Sequence, residues 1–201
     1  MEHSDTNSEH WDYNMNFKHD LLLIDIEATG LDSNRHEIIQ LAGVLLDKKT
    51  LKEKKAFSSF IRPAKWGNRD KESMAVNKIS FDKVKNAPTL HLTLKKFNKA
   101  FGKNVILAYY VGIMDIIFLQ TAHKKAGLKW PFDYHYFNIW GLFYGFLASR
   151  GKLTSKKDFA GFGIESMMKT FKIKADKNQL HDALMDCRVE AEILRKVIKE
   201  L

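Results

Sequence analysis

The chain has 201 residues, of which 45% are hydrophobic and 12% aromatic, enough apolar material for one packed domain. Its 33 Lys and Arg outnumber 24 Asp and Glu, and the net charge of +9 favours either a polyanionic partner or simple solubility. Nucleic acid is the first such partner and an anionic membrane surface the second. Cys187 is the single cysteine, so an internal disulfide is excluded. No apolar run approaches the roughly 20 residues of a transmembrane helix, and no signal-peptide pattern opens the chain, so we expect a cytoplasmic protein without a membrane span.

The first half of the chain predicts three strands with short connections. Residues 1–17 carry four acids and no Lys or Arg, and we predict a disordered arm there, followed by one domain over residues 18–201. The continuous apolar run at residues 21–24 predicts a buried strand. Two further strands are predicted at 38–47 and 57–62, with a turn over 47–55, a charged loop over 65–78 and a short helix beginning near Ser80. Such short connections favour an antiparallel meander.

The second half alternates between helices and strands, which is typical of strands added in parallel to a sheet. A stripe of Leu90, Leu94, Phe97 and Phe101 predicts an amphipathic helix that ends at Gly102. A fourth strand is predicted at 104–110, and the later helices are predicted at 112–126, 139–150, 163–171 and 180–201. No repeat or linker divides this pattern.

Several acids lie in settings that burial makes costly. Asp25 and Glu27 follow the first apolar strand, and strand alternation places them on one side, with Cα atoms roughly 6.5–7 Å apart. Asp115 begins an otherwise apolar helix, and His181 and Asp186 lie at the start of the last helix. Each has an ordinary explanation, such as a solvated strand end or a helix cap. A buried group of acids instead requires a neutralising cation.

In this order the residues resemble the DEDDh exonuclease superfamily, whose members include polymerase proofreading subunits and ribonuclease T. Residues 25–31, Asp-Ile-Glu-Ala-Thr-Gly-Leu, are similar to its first motif. His181-Asp182-Ala183-Leu184 followed by Asp186 is similar to its third motif. The strand at 38–47 and the turn at 75–80 also resemble the family. The resemblance covers about residues 20–200 and implies a ribonuclease H-like α/β fold. That fold has a central mixed five-stranded sheet, three antiparallel strands followed by parallel additions, flanked by helices.

The second motif departs from the family pattern. The family has a small residue, His, Asn and then Phe-Asp, whereas this chain has Ala108, two tyrosines at 109 and 110, Val111 and, further on, Asp115. The acid is retained. The residues expected to line the substrate strand are changed, and strand alternation predicts that one of the two tyrosines is buried while the other faces the cleft.

The resemblance implies a two-metal site and a general base. Its ligands would be Asp25, Glu27, Asp115 and Asp186, which hold two Mg²⁺ or Mn²⁺ ions, the ions that hard carboxylate oxygens select. His181 would take the proton from the attacking water, a role suited to an imidazole. The substrate contacts implied for the terminal nucleotide are Ala28, Thr29, Gly30, Leu31 and Tyr110.

We therefore expect a metal-dependent 3′–5′ exonuclease that acts on single-stranded nucleic acid or on a free 3′ end of a duplex. Two alternatives stay open: a binding or adaptor module with an unused site, and a phosphodiesterase of very short oligonucleotides. The residues do not distinguish DNA from RNA, because recognition of the 2′-hydroxyl depends on contacts that no motif reveals. A polymerase or another protein is a further partner that the resemblance implies.

Overall fold

The computed structural model describes residues 17–110, 113–153, 163–174 and 181–201. The predicted arm therefore lies outside the described residues, except for Phe17. The backbone N–H of Phe17 donates to the carbonyl of Lys48 at 3.2 Å, and its ring packs edge-on against Phe137 at 5.1 Å. None of the helices described here has the length and apolar character needed to cross a lipid bilayer.

A mixed five-stranded sheet organises the fold, as predicted. Its strands are β1 (Asp20–Ala28), β2 (Ile38–Leu46), β3 (Glu53–Phe60), β4 (Val105–Tyr109) and β5 (Tyr136–Asn138). Their order across the sheet is β3-β2-β1-β4-β5. The pairs β1–β2 and β2–β3 are antiparallel, whereas β1–β4 and β4–β5 are parallel. The meander and the parallel additions are both confirmed.

Helices cover both faces of the sheet. In the described residues they are α1 (Lys71–Asn77), α2 (Phe81–Val84), α3 (Leu90–Phe101), α4 (Met114–Lys125), α5 (Ile139–Ser149), α6 (Ile164–Thr170) and α7 (Ala183–Glu200). The stripe that predicted α3 is confirmed, since Leu94, Phe97 and Phe101 are buried and Gly102 follows the helix with φ of 72°.

Two segments differ from the predicted boundaries, and the fifth strand, β5, had no predicted position. The charged segment 65–78 is not wholly a loop, because it contains a 3₁₀ turn at Trp66–Asn68 and then α1. The Asp70 carboxylate caps the first turn of α1 by accepting from the N–H of Ser73 at 2.8 Å. The third strand begins at Glu53, because Asp47 closes a tight turn by accepting from the N–H of Thr50 at 2.9 Å. β5 has only three residues, too few for a periodic signal.

Alternation along β1 separates two cores. Leu21 and Leu23 belong to the core that α5, α6 and α7 cover, whereas Leu22 and Ile24 belong to the core that α3 and α4 cover. All four side chains are fully buried. Because side chains two residues apart share a face, Asp25 and Glu27 continue the row that begins with Leu21 and Leu23. The strand therefore directs both acids toward the side occupied by α7.

Candidate active site

The carboxyl end of β1 extends past its parallel neighbour. The β1–β4 pairing stops at Leu23 opposite Ala108. From Ile24 onward, β1 therefore has no paired residue on β4. Ligands of α/β proteins bind outside the carboxyl ends of strands, where the sheet changes direction. Asp25 and Glu27 occupy this position, because β1 has an antiparallel strand on one side and a parallel strand on the other.

Three predicted residues converge at this end of the sheet. One possible ligand atom from each of Glu27, His181 and Asp186 lies within 4.8 Å of the other two. Glu27 comes from β1, Asp186 from the first turn of α7, and His181 from the segment before that helix. More than 150 positions of sequence separate Glu27 from the other two, so only the fold brings them together.

His181 is held by its backbone. Its φ of 68° lies in the left-handed region, which is uncommon for residues other than glycine. In this conformation its N–H donates to Oδ2 of Asp186 at 3.1 Å. The predicted base is thereby linked to a predicted metal ligand, and its side chain remains exposed.

Asp115 approaches the site from the opposite face of the sheet. It lies in the first turn of α4, a position that helix dipoles favour for acids. Burial raises the pKa of Asp115 to about 7, while hydrogen bonds from the backbone N–H groups of Ile26 and of Asp115 itself lower it. The bond to Ile26 places this carboxyl between Asp25 and Glu27 along β1.

The acids raise one another's pKa. Burial, then repulsion from Asp115 and other acids, raises the pKa of Asp25 well above its ordinary value. Burial and the charge of Asp186 raise the pKa of Glu27 to about 8. Burial raises the pKa of Asp186 to about 6, against the hydrogen bond from the N–H of His181. Without a cation, this group of carboxyls therefore favours protonation.

The residues present fit a divalent cation. Asp186 is only 9% exposed, and its buried Oδ1 has no hydrogen-bond partner within the described ranges. Leaving a buried carboxylate oxygen without a partner is costly. A hard cation next to several carboxylate oxygens removes that cost and the mutual repulsion. Asp25, Glu27, Asp115 and Asp186 therefore remain the candidate metal ligands, and their binding of a cation stays a prediction.

An open cleft of about 360 Å³ adjoins these acids. Ala28, Gly30 and Leu31 line it on one side, and Val76 and Met114 on the other. Leu31 is 78% exposed, so its apolar side chain is accessible to a ligand in the cleft. The cleft therefore offers apolar surface immediately beside the carboxylates.

Two predicted substrate residues lie deeper than the cleft surface. Thr29 is buried, and its hydroxyl accepts from the N–H of Glu37 at 3.0 Å. Tyr110 is only 3% exposed and packs edge-on against Phe143. Tyr109 is half-buried, so the two tyrosines differ in burial as expected. It packs against the core that α3 and α4 cover, and that it faces the cleft stays a prediction. Val111 of the second motif lies outside the described residues.

Gly30 also has a packing role. A Cβ atom at this position would lie 2.4 Å from the imidazole ring of His36. The His36 ring in turn accepts from the N–H of Asp32 at 3.0 Å. Glycine at this position therefore accommodates His36, a reason that the motif alone did not provide.

Sequence reasoning missed two residues of this region. Glu190 lies on α7, is 4% exposed, and raises the pKa of Asp25. It follows Asp186 by four positions, a helical spacing that could have identified it. Gln40 is buried on β2 opposite Glu27, and its amide donates to Oδ2 of Asp182 at 2.9 Å. No local pattern indicates that contact.

Comparison with known proteins identifies the family. The RNase_T family model, described as an exonuclease, matches residues 22–194 and so covers most of the chain. This chain belongs to the RNase_T exonuclease family. The predicted resemblance to DEDDh exonucleases is confirmed, and the predicted ribonuclease H-like architecture with it.

Individual relatives support the assignment over different lengths. DNA polymerase III PolC-type of Listeria welshimeri is 30% identical over 107 residues, which are 53% of this chain and 7% of that protein. This exonuclease thus spans a small fraction of the PolC-type proteins. DNA polymerase III subunit epsilon of Aquifex aeolicus is 27% identical over 90% of this chain and 81% of its own.

A solved structure shares the fold. The nuclease domain of 3′hExo, described as a DEDDh family member bound to rAMP, superposes with a TM-score of 0.69 and 24% identity. The superposition covers 90% of this exonuclease and 92% of that domain. Nearly the whole of that domain therefore has an equivalent here.

Proposed function

We propose that this chain is a metal-dependent 3′–5′ exonuclease. Residues 18–201 would form its single domain. The observation that carries the proposal is the convergence of Glu27, His181 and Asp186 to within 4.8 Å. Asp25 and Asp115 lie close enough to shift one another's titration, which supports a shared cation site. The 3′–5′ direction rests on the likeness to DEDDh exonucleases.

The four carboxylates Asp25, Glu27, Asp115 and Asp186 would hold two Mg²⁺ or Mn²⁺ ions. When bound, such ions lower the pKa of water and stabilise negative charge on a phosphodiester. Four negative charges against two dications leave the site neutral where a phosphate must enter. His181 would accept the proton of the attacking water at its exposed imidazole, close to Glu27 and Asp186.

The terminal nucleotide would occupy the cleft next to the acids. Ala28 and Gly30 line this cleft, and the exposed Leu31 can cover one face of a base. The Thr29 hydroxyl accepts from the N–H of Glu37, and Tyr110 packs in the core against Phe143. Contact of either residue with substrate stays a prediction. The net charge of +9 favours attraction of the polyanion.

DNA and RNA are both proposed substrates. Polymerase III subunits among the relatives favour DNA, whereas the 3′hExo domain was solved with rAMP. A polymerase or another protein is the proposed partner, by similarity to those subunits. The cytoplasmic location rests on the single buried Cys187, which suits a reducing compartment.

The test is release of mononucleotides from end-blocked DNA and RNA, single- and double-stranded, with and without Mg²⁺. Asp25→Ala and Asp186→Ala should each abolish release while circular dichroism shows a retained fold. Asp82→Ala is the matched control, because the Asp82 side chain is 80% exposed and, among the described residues, forms an ion pair only with Lys85, which follows α2. Unchanged activity in both site variants, or degradation from a blocked 3′ end, would contradict the proposal.

The adaptor alternative is favoured by one feature, the altered second motif with Tyr110 buried in the core. If the site binds no cation, the melting temperature does not change when Mn²⁺ is added. If the folded protein binds Mn²⁺ and the unfolded chain does not, Mn²⁺ stabilises the folded protein by mass action. The melting temperature with and without Mn²⁺ therefore separates the two functions. Dependence of the rate on chain length separates a strand exonuclease from an oligonucleotide phosphodiesterase.

A further inference from the structure

Glu190 lies on the face of α7 that carries Asp186. The two are four positions apart, so their side chains are neighbours along the helix. The same face holds Cys187, whose Sγ lies 3.8 Å from the carbonyl oxygen of Leu23 on β1. Glu190 is thus directed toward the strand that ends in Asp25 and Glu27.

The Glu190 carboxyl is buried, and one of its two oxygens has no hydrogen-bond partner among the described residues. The residue is 4% exposed, and this oxygen is Oε2. None of the ion pairs between described residues includes it. A buried carboxylate with neither cation nor donor is strongly destabilising.

The position of Glu190 on α7 brings it next to the site's acids. Asp186 lies one turn before it on the same buried face, and Cys187 between them contacts the carbonyl oxygen of Leu23, two residues before Asp25 on β1. The charge of Glu190 also raises the pKa of Asp25, as expected for neighbouring carboxyls. Glu190 therefore joins the group of Asp25, Glu27, Asp115 and Asp186.

We propose that Glu190 is a fifth carboxylate of the metal site and supplies an oxygen to the divalent cations held by the four predicted acids. The inference rests on the proposed function, because it assumes that these acids bind cations. A fifth negative charge leaves the site with two dications at −1, which strengthens retention of the ions. It also explains why α7 keeps an acid where its packing against the sheet requires an apolar side chain.

The experiment measures Mn²⁺ binding by the metal-free protein, by titration calorimetry and by the paramagnetic resonance of bound Mn²⁺. Glu190→Gln should weaken Mn²⁺ binding about 10–100-fold. Its metal-free melting temperature should stay close to that of the wild type, because the amide has the same size as the neutral, protonated carboxyl that the metal-free site favours. Glu192→Gln is the matched control, since Glu192 lies on the same helix and pairs with Arg195 at 2.8 Å, away from the acids.

Equal Mn²⁺ affinities in wild type and Glu190→Gln would overturn this inference and leave the proposed function intact. Absence of Mn²⁺ binding by the wild type would overturn both. Two further variants are available: Glu190→Met keeps a side chain of similar volume without a carboxylate, and Glu190→Asp keeps the carboxylate on a shorter side chain. If Glu190→Gln fails to fold, the Mn²⁺ affinity of Glu190→Met decides in the same way. A loss confined to Glu192→Gln would also contradict the proposal.

Discussion

At the scale of single residues, His181 has an uncommon backbone conformation next to the candidate site. Its left-handed φ of 68° turns the N–H toward Asp186 and leaves the imidazole facing Glu27 and solvent. Residues held in sparsely populated backbone regions are frequent at functional sites. The sequence placed His181 just before a helix, but it could not indicate this conformation.

We predict that His181→Ala lowers the rate of mononucleotide release by about 10²–10⁴-fold, the usual contribution of a general base. Mn²⁺ binding should be nearly unchanged, because the four carboxylates remain. The measurement is single-turnover kinetics at saturating Mg²⁺ together with Mn²⁺ titration calorimetry. The exposed His91, whose Nδ1 contacts the carbonyl of Ala126, provides the control His91→Ala. A loss of less than threefold would remove His181 from the mechanism.

At the scale of elements, the site depends on how α7 meets β2. Asp182 begins the helix by accepting from the N–H groups of Leu184 and Met185, both at 3.2 Å. Its other oxygen accepts from the amide of Gln40 on β2 at 2.9 Å. Asp182 is therefore the cap that links α7 to the sheet.

This link predicts a measurable coupling between Gln40 and Asp182. A hydrogen bond to a charged group contributes about 1.5–3 kcal/mol, so a double-mutant cycle with Gln40→Leu and Asp182→Ala should give a coupling energy in that range. Urea unfolding supplies the free energies. Ser58→Ala is the control, because the Ser58 hydroxyl lies 3.5 Å from the same amide and should contribute far less. A coupling energy near zero would mean that the link does not position α7.

At the scale of the whole molecule, a basic chain encloses an acidic site. The net charge of +9 coexists with several acids at one end of the sheet whose pKa values are raised. Because these acids bind protons more tightly in the folded state than in the unfolded one, they stabilise the metal-free fold at low pH. That contribution is lost as the pH rises through their folded-state pKa values.

We therefore predict that the metal-free protein loses stability from about pH 4 to about pH 8. The loss begins at the ordinary pKa of each carboxyl, 3.8 for Asp or 4.5 for Glu, and is complete above the folded-state pKa of about 6 for Asp186, 7 for Asp115 and 8 for Glu27. Burial lowers the pKa of His123, which acts in the opposite direction below its ordinary value of 6.5. Urea unfolding in EDTA at successive pH values measures the effect.

Glu27→Gln removes the group with the highest of these three values, so its stability should depend less on pH than that of the wild type, most clearly between pH 7 and 8. Saturating Mn²⁺ should abolish the wild-type decline, because the cation replaces the protons. Identical pH profiles for the metal-free wild type and Glu27→Gln would contradict the assignment of this titration to the site.

Much of the fold could be predicted because its signals are local. The apolar run before Asp25 predicted β1, and the spacing of Leu94, Phe97 and Phe101 predicted α3. The order of the acids indicated the family before any contact was known. The three-residue β5 could not be predicted, since its pairing with β4 comes from parallel docking and not from a pattern of its own.

The sequence by itself determined the family and proposed the candidate residues of the site, because the motifs that carry the resemblance are patterns of neighbouring positions. Only the tertiary structure decided that Glu27, His181 and Asp186 lie within 4.8 Å, that Tyr110 is buried, and that Glu190 faces the same acids. Those relations depend on the packing of α7 against β1 and β2. The distance between residues far apart in the chain is set by that packing, which no local pattern specifies.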